Sequence, residues 1–242
     1  MSGYYFLMCL LPPLGGKLGM KMPLSFGDIS GIARRHADPH DTDPLEALLM
    51  KIDTANWEQM DQGRDIFIPG GVLSHGQLRD SENLPYFIRR FREEKDRGIS
   101  RPYIYDRLWE LYYLYAYSTA QSFPCCFLTE YLSVEIDMLA GLAAARARVA
   151  GYNPEEHSIL VSFRHGDFSG LINRLKSQPD PLETERLLDE ERLKQISLCG
   201  GSAPFSLDAL LSYLSRAMIY DRWERISQPF NIESYLWHGG NK

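Results

Sequence analysis

Apolar positions along the chain recur at helical spacing, and the strict alternation expected of a half-buried strand is almost absent. The opening run from Tyr4 to Leu11 is apolar throughout and stops at Pro12 and Pro13; periodicity does not assign it a conformation, and its composition predicts burial. Ser25, with Asp28 three positions on, opens a short helix whose face carries Phe26, Ile29, Ile32 and Ala33. A second helix follows Asp43-Pro44, with Leu45, Leu48, Leu49 and Ile52 as its stripe. Between Met60 and Gly76 the breakers Gly63, Pro69, Gly70, Gly71 and Gly76 predict a loop or a boundary between lobes.

Helical signal resumes at Ser81–Pro85. Leu84, Phe87, Ile88 and Phe91 point inward, Arg89, Arg90, Arg92, Glu93, Glu94 and Lys95 form the outer face, and Gly98 closes the helix. The stretch 103–117 is apolar on more than one face, which predicts a central helix sandwiched between others. The longest helix is predicted from about Pro124 to Ala150 with Gly151 as its cap; Ala140, Gly141, Ala143, Ala144 and Ala145 admit a close neighbour. Shorter helices are predicted over 154–164, over 167–176 and from Pro181–Leu182 to the Gly200-Gly201 break. A last long helix starts after Ser206, carries Leu207, Leu210, Leu211, Leu214 and Met218, and ends near Ser227, before the aromatic tail of Phe230, Tyr235 and Trp237. The pattern predicts an all-α bundle with two long helices. It predicts one helical domain over 1–242, with a possible division into a lobe of 1–75 plus the C-terminal helices and a lobe of 76–200.

At 242 residues and 44% hydrophobic composition the chain can bury a sizeable core without metals or disulfides. With 26 Lys and Arg against 32 Asp and Glu, its net charge of −6 argues against phosphate-backbone binding. Cys9, Cys125, Cys126 and Cys199 lack C-x-x-C spacing and read as buried thiols in a reducing compartment. The apolar run near the start is too short for a membrane span and lacks the flanks of a secretory signal, so a cytoplasmic location is expected.

Phosphate-loop, dinucleotide, zinc-protease and nucleophile-elbow patterns are all missing from the sequence. Pro13-Leu14-Gly15-Gly16-Lys17 lacks the first glycine and the final Ser or Thr of a phosphate loop and reads as a turn. His36 and His40, near Asp38 and Asp41, have helical ligand spacing, but Pro39 disfavours helix before it, so a solvated loop is expected. Glu130 and Glu135 lack the Glu-x-x-His units of di-iron bundles and read as interhelical ion-pair or solvent-facing groups. Arg89, Arg90 and Arg92 are offset by Glu93, Glu94 and Asp96. No catalytic residue, cofactor or metal is assigned. The 14 Tyr, 11 Phe and 4 Trp fit either an aromatic-rich core or interface centres.

Four segments together carry a resemblance. They are Tyr4-Tyr5-Phe6-Leu7 with Leu11-Pro12-Pro13-Leu14; Pro23-Leu24-Ser25-Phe26; the 131–151 helix with its Leu142-to-Arg148 exit; and the helix from Leu210-Leu211-Ser212-Tyr213-Leu214 to Arg222-Trp223. The chain resembles an uncharacterised bacterial family encoded within V-type ATPase operons. That family is distantly similar to the C-type subunit of the V-type ATPase, called d in eukaryotes, and this chain is shorter, about two helical lobes where the C-type subunit has three. The resemblance implies a non-catalytic, cytoplasmic body, peripheral to the membrane, whose partners are the central stalk and the membrane rotor ring. The alternative is a helical ligand binder or enzyme with a pocket between the Tyr-rich stretch 103–117 and the long helix, lined by Arg107, Glu110 and Glu135.

Overall fold

The computed structural model describes residues 4–98, 103–155 and 166–227. Ser25 opens α2 (Phe26–His36) as its position predicts: its Oγ accepts the Asp28 N–H and donates to the Asp28 carboxylate, and Phe26, Ile29 and Ala33 are buried. Before it lies α1 (Tyr5–Leu10). This opening run departs from the expected burial, because a single helical turn and a half presents only one side to the core. Tyr4, Leu7 and Leu11 are buried, while Tyr5, Phe6, Cys9 and Leu10 are exposed. The thiol expectation is corrected on the same ground: Cys125 and Cys199 are buried, Cys9 and Cys126 are exposed.

A 3-10 turn, Pro39–Asp41, leads into α3 (Thr42–Asp61). The predicted breaker region after it is not wholly loop. Ser74 accepts the Gln77 N–H while the Gln77 side chain accepts the Ser74 N–H, and this reciprocal cap opens α4 (His75–Arg79) despite Gly76. Next come α5 (Tyr86–Asp96), ended by Gly98 at φ +88°, and α6 (Tyr105–Gln121). As expected, α6 is central: it packs against α3, α5 and α7 and buries Tyr112 and Tyr113.

The longest helix, α7 (Cys126–Val149), has no capping side chain of its own at the start. Asp208 of the last helix supplies the cap, accepting from the Phe127 N–H at 3.1 Å and the Cys125 thiol at 3.0 Å. At the other end the Tyr152 N–H bonds to the Ala147 carbonyl and the Gly151 N–H to that of Arg148, with Gly151 at φ +77°. The small-residue stretch admits a neighbour as predicted: a Cβ on Gly141 would lie 2.9 Å from Ile172 of α8 (Ser169–Lys176). The helix expected over 154–164 lies almost wholly outside the described residues.

Asp180 caps α9 (Pro181–Cys199) and Ser206 caps α10 (Leu207–Ser227). The last helix packs against α9, α7, α2 and α3. The described chain is all-α, with ten α-helices and no strand. One apolar core draws on α1 to α7, α9 and α10; a satellite of Met138, Leu171, Leu175 and Leu188 seats α8 against α7 and α9.

Candidate functional site

Helical periodicity places Glu135 on the buried face of α7, four residues after Tyr131 and three after Leu132, and the carboxylate is only 2% exposed. An isolated carboxylate there would carry a large desolvation cost. Lys51 of α3 meets it at 3.0 Å and Arg192 of α9 at 3.2 Å. The ion pairs continue: Arg192 donates to Asp189 at 2.7 Å, Asp189 accepts from Arg222 of α10 at 2.5 Å and from the Trp223 indole at 2.8 Å, and Arg222 reaches Glu185 at 2.5 Å. Three cations and three carboxylates thus alternate across α3, α7, α9 and α10. The Lys51 ammonium also lies over the Tyr131 ring and the Arg186 guanidinium over Trp223.

Burial alone would raise the Glu135 pKa, but the charges of Arg192 and Lys51 outweigh it and hold the carboxyl at about 2. Burial would lower Lys51, and Glu135 reverses that so that its pKa rises. At neutral pH these groups are therefore fixed charges. Their arrangement sets the register of four helices, since sliding any one of them would strand a buried charge.

A second polar cluster joins α3 to α6. Glu58 accepts from the Tyr103 hydroxyl at 2.6 Å and the Trp109 indole at 2.8 Å, while Asp61 accepts from the Tyr105 hydroxyl and Lys95, each at 2.6 Å. Arg107 chelates Glu94 of α5 through Nε and Nη2 at 2.6 and 2.9 Å and donates to Glu110 at 2.7 Å. The polar groups expected to line a Tyr-rich pocket are therefore not brought together: Arg107 and Glu110 belong to the α5–α6 seam and Glu135 to the ion chain. Two half-open hollows lie elsewhere, one of about 250 Å³ beside the end of α3 and one of about 420 Å³ lined by Gly31, Arg34, Arg35, Thr42, Leu45 and Glu46.

The other sequence candidates separate. His36 ends α2 and lies edge-on to Phe6; Ala37 then turns extended, which breaks the helical relation to His40, and Asp41 accepts the Tyr4 hydroxyl at 2.5 Å. Among the described residues no group of three or more His, Cys, Asp or Glu could hold a metal ion. Glu130 is exposed. Arg89, Arg90 and Arg92 are exposed on α5, where Arg90 pairs with Glu94 at 3.0 Å. No helix among the described residues is long and apolar enough to cross a membrane.

No protein-family model matches the chain, and no curated protein matches it significantly. Its geometry thus stands on its own residues.

One polar pair that the motif patterns do not reveal organises the segment after α3. Asp53 accepts the Val72 and Leu73 N–H groups at 2.7 and 3.2 Å, and Asn56 both donates to and accepts from the Ile68 backbone at 2.7 and 2.8 Å. The segment is glycine-dependent because a Cβ on Gly71 would occupy the space of the Asp53 carboxylate. Gly71→Ala is expected to break both carboxylate bonds, cost about 2–4 kcal/mol and speed tryptic cleavage at Arg64; limited proteolysis and urea unfolding check both effects.

Burial raises the Asp53 pKa to about 6, against the lowering effect of its two backbone bonds. A folded-state pKa above the unfolded value means that the fold binds this proton more tightly. Asp53 therefore contributes stability that is present at low pH and lost as pH rises from about 4 through 6. The urea midpoint of the wild type, measured against Asp53→Asn, is expected to gain as pH falls from about 7 to 5.

Proposed function

We propose that this protein is a non-catalytic subunit or accessory protein of a V-type ion-translocating ATPase, held on the cytoplasmic side of the membrane through its partners and coupling the central stalk to the membrane rotor ring. The four-segment resemblance supplies the family context. The structural observation that carries the reading is the placement of exposed apolar side chains at both ends of the longest helix. At its start, Asp208 ties α7 to α10, and the Phe205 ring just before it meets the Tyr5 ring of α1 at a tilt of 59°, with centroids 4.8 Å apart, so the exposed Tyr5, Phe6 and Leu10 lie at this end. At its finish, Val149 is 80% exposed and Tyr152 is exposed beside it. A helix of 24 residues separates these ends by roughly 36 Å.

Torque transmission needs a body that keeps its shape between two attachment surfaces. The ion chain through α3, α7, α9 and α10 supports the first requirement, because each helix is held to its neighbour by directional bonds to the buried carboxylates Glu135 and Asp189 in addition to apolar packing. The exposed apolar groups support the second, since such side chains are enriched where surfaces become buried against partners.

Photo-cross-linking residues placed at Phe6 and at Val149 test the reading in the native cell. The expected result is that the two positions capture different ATPase subunits, with none captured from Arg92, an exposed residue of α5. Absence of ATPase subunits from both positions contradicts the proposal.

A further inference from the structure

The hollow of about 250 Å³ beside the end of α3 has walls fixed by buried side chains. Gly63, at φ +73°, turns the chain away from α3, and the Arg64 N–H returns to the Gln59 carbonyl at 2.9 Å. Asn56, 2% exposed, then grips the Ile68 backbone through both atoms of its amide, and Asp53 fixes residues 72 and 73. The opposite wall is α4, seated by buried Leu78 and held by the Ser74–Gln77 cap. Phe67 stands edge-on to His75 with ring centroids 5.2 Å apart. The hollow is therefore formed before anything enters it, which spares a ligand the cost of ordering its walls.

The lining separates by chemistry. Met60, Ile66, Phe67 and Leu78 provide apolar surface, while Arg64 and Arg79 are the two cationic residues of the same lining. The Arg79 side chain has no ion pair or hydrogen bond with any described residue, and the Arg64 side chain bonds only to the Gln62 side-chain oxygen among them. Asp65 is the one acidic residue of the lining. Arg64 and Arg79 are both exposed, whereas the less exposed cations Lys51, Lys95, Arg107 and Arg192 are all matched to carboxylates. In a chain of net charge −6, two arginines without carboxylate partners beside one preformed, partly apolar hollow outnumber its single Asp65 and give it a local positive excess.

We propose that this hollow is a binding site for a small amphipathic anion: a flat apolar body of one or two rings carrying a carboxylate, sulfonate or phosphate. Arg79 and Arg64 hold the anionic group through charge-assisted hydrogen bonds. Phe67, Ile66 and Met60 cover the body. The volume lies below the roughly 300–1,000 Å³ of sites for drug-sized ligands, which restricts the occupant to a small molecule. This site is independent of the apolar ends invoked for ATPase attachment, and its failure would leave that reading intact.

The test uses two fluorescent probes with one two-ring skeleton, 5-(dimethylamino)naphthalene-1-sulfonate and its uncharged parent N,N-dimethyl-1-naphthylamine, titrated into the purified full chain. The wild type is expected to show a saturable site for both. Arg64→Gln/Arg79→Gln is expected to weaken the sulfonate about tenfold or more while changing the uncharged probe less than about twofold. Phe67→Ser is expected to weaken both probes, and Arg92→Gln, which removes an exposed arginine away from the hollow, neither. Urea midpoints matching the wild type confirm that the variants are folded. No saturable binding, an unchanged sulfonate affinity in the double variant, or an equal loss in Arg92→Gln overturns the proposal.

Discussion

Glu135→Ala is expected to destabilise the fold by about 3–5 kcal/mol, a larger loss than the small side-chain change suggests. The carboxylate is the shared partner of Lys51 and Arg192, and both are drawn into the interior by it. Removing it strips Lys51 of its carboxylate and leaves Arg192 with Asp189 alone, so that two cations face each other across the space it vacates. Urea unfolding followed by circular dichroism reads the loss as a lower midpoint. The pH dependence carries a sign that identifies the mechanism. The Glu135 pKa is held at about 2, below its ordinary value of 4.5, so its contribution is complete above about 4.5 and is lost as pH falls toward 2. The gap between wild type and Glu135→Ala should therefore be constant from neutral pH down to about 5 and close below it.

Trp223→Ala is the second large effect, about 3–5 kcal/mol. The indole is 1% exposed, is covered by the Arg186 guanidinium with 5.2 Å to the ring, and donates to Asp189 at 2.8 Å. Trp223→Phe separates the two contributions. It keeps most of the packing and removes the indole N–H, while Asp189 remains bonded to Arg192 and Arg222; the expected cost of the lost hydrogen bond is about 1 kcal/mol. Glu135 and Trp223 lie on one chain of contacts through Arg192 and Asp189. The double variant should therefore depart from the sum of the single costs by more than about 0.5 kcal/mol. Simple additivity would mean that the charges act as separate pairs.

Most helices were legible because their caps and stripes are local. Ser25 with Asp28, Pro181 at the start of α9, and Gly151 after the Ala-rich run each mark an end through features confined to a few residues. The start of α7 was legible only as an apolar pattern, because its cap is Asp208, more than eighty positions along the chain. Long-range pairing hid the ion chain as well. Lys51, Arg192 and Arg222 look like ordinary surface charges, and only Glu135, set among Leu128, Tyr131, Leu132 and Ile136, betrays a charge on a buried face. Asp53 and Asn56 carry the same signal. They continue the α3 stripe of Leu45, Leu48, Leu49 and Ile52 with polar groups, which a buried helix tolerates only when a partner is supplied. The opening segment misled for the opposite reason: an apolar composition does not reveal which side a short helix presents, and α1 leaves Tyr5, Phe6 and Leu10 exposed. For the pocket expected from the Tyr-rich stretch, hydroxyls that look available for a ligand are taken by Glu58 and Asp61 of α3.

The central claim is attachment to a V-type ATPase, and affinity purification of the tagged full-length protein from its own cells tests it most directly. In mild detergent and moderate salt, mass spectrometry should find central-stalk and rotor-ring subunits in amounts comparable to the protein itself. Recovery of the protein without them, from cells that contain the assembled ATPase, would contradict the account.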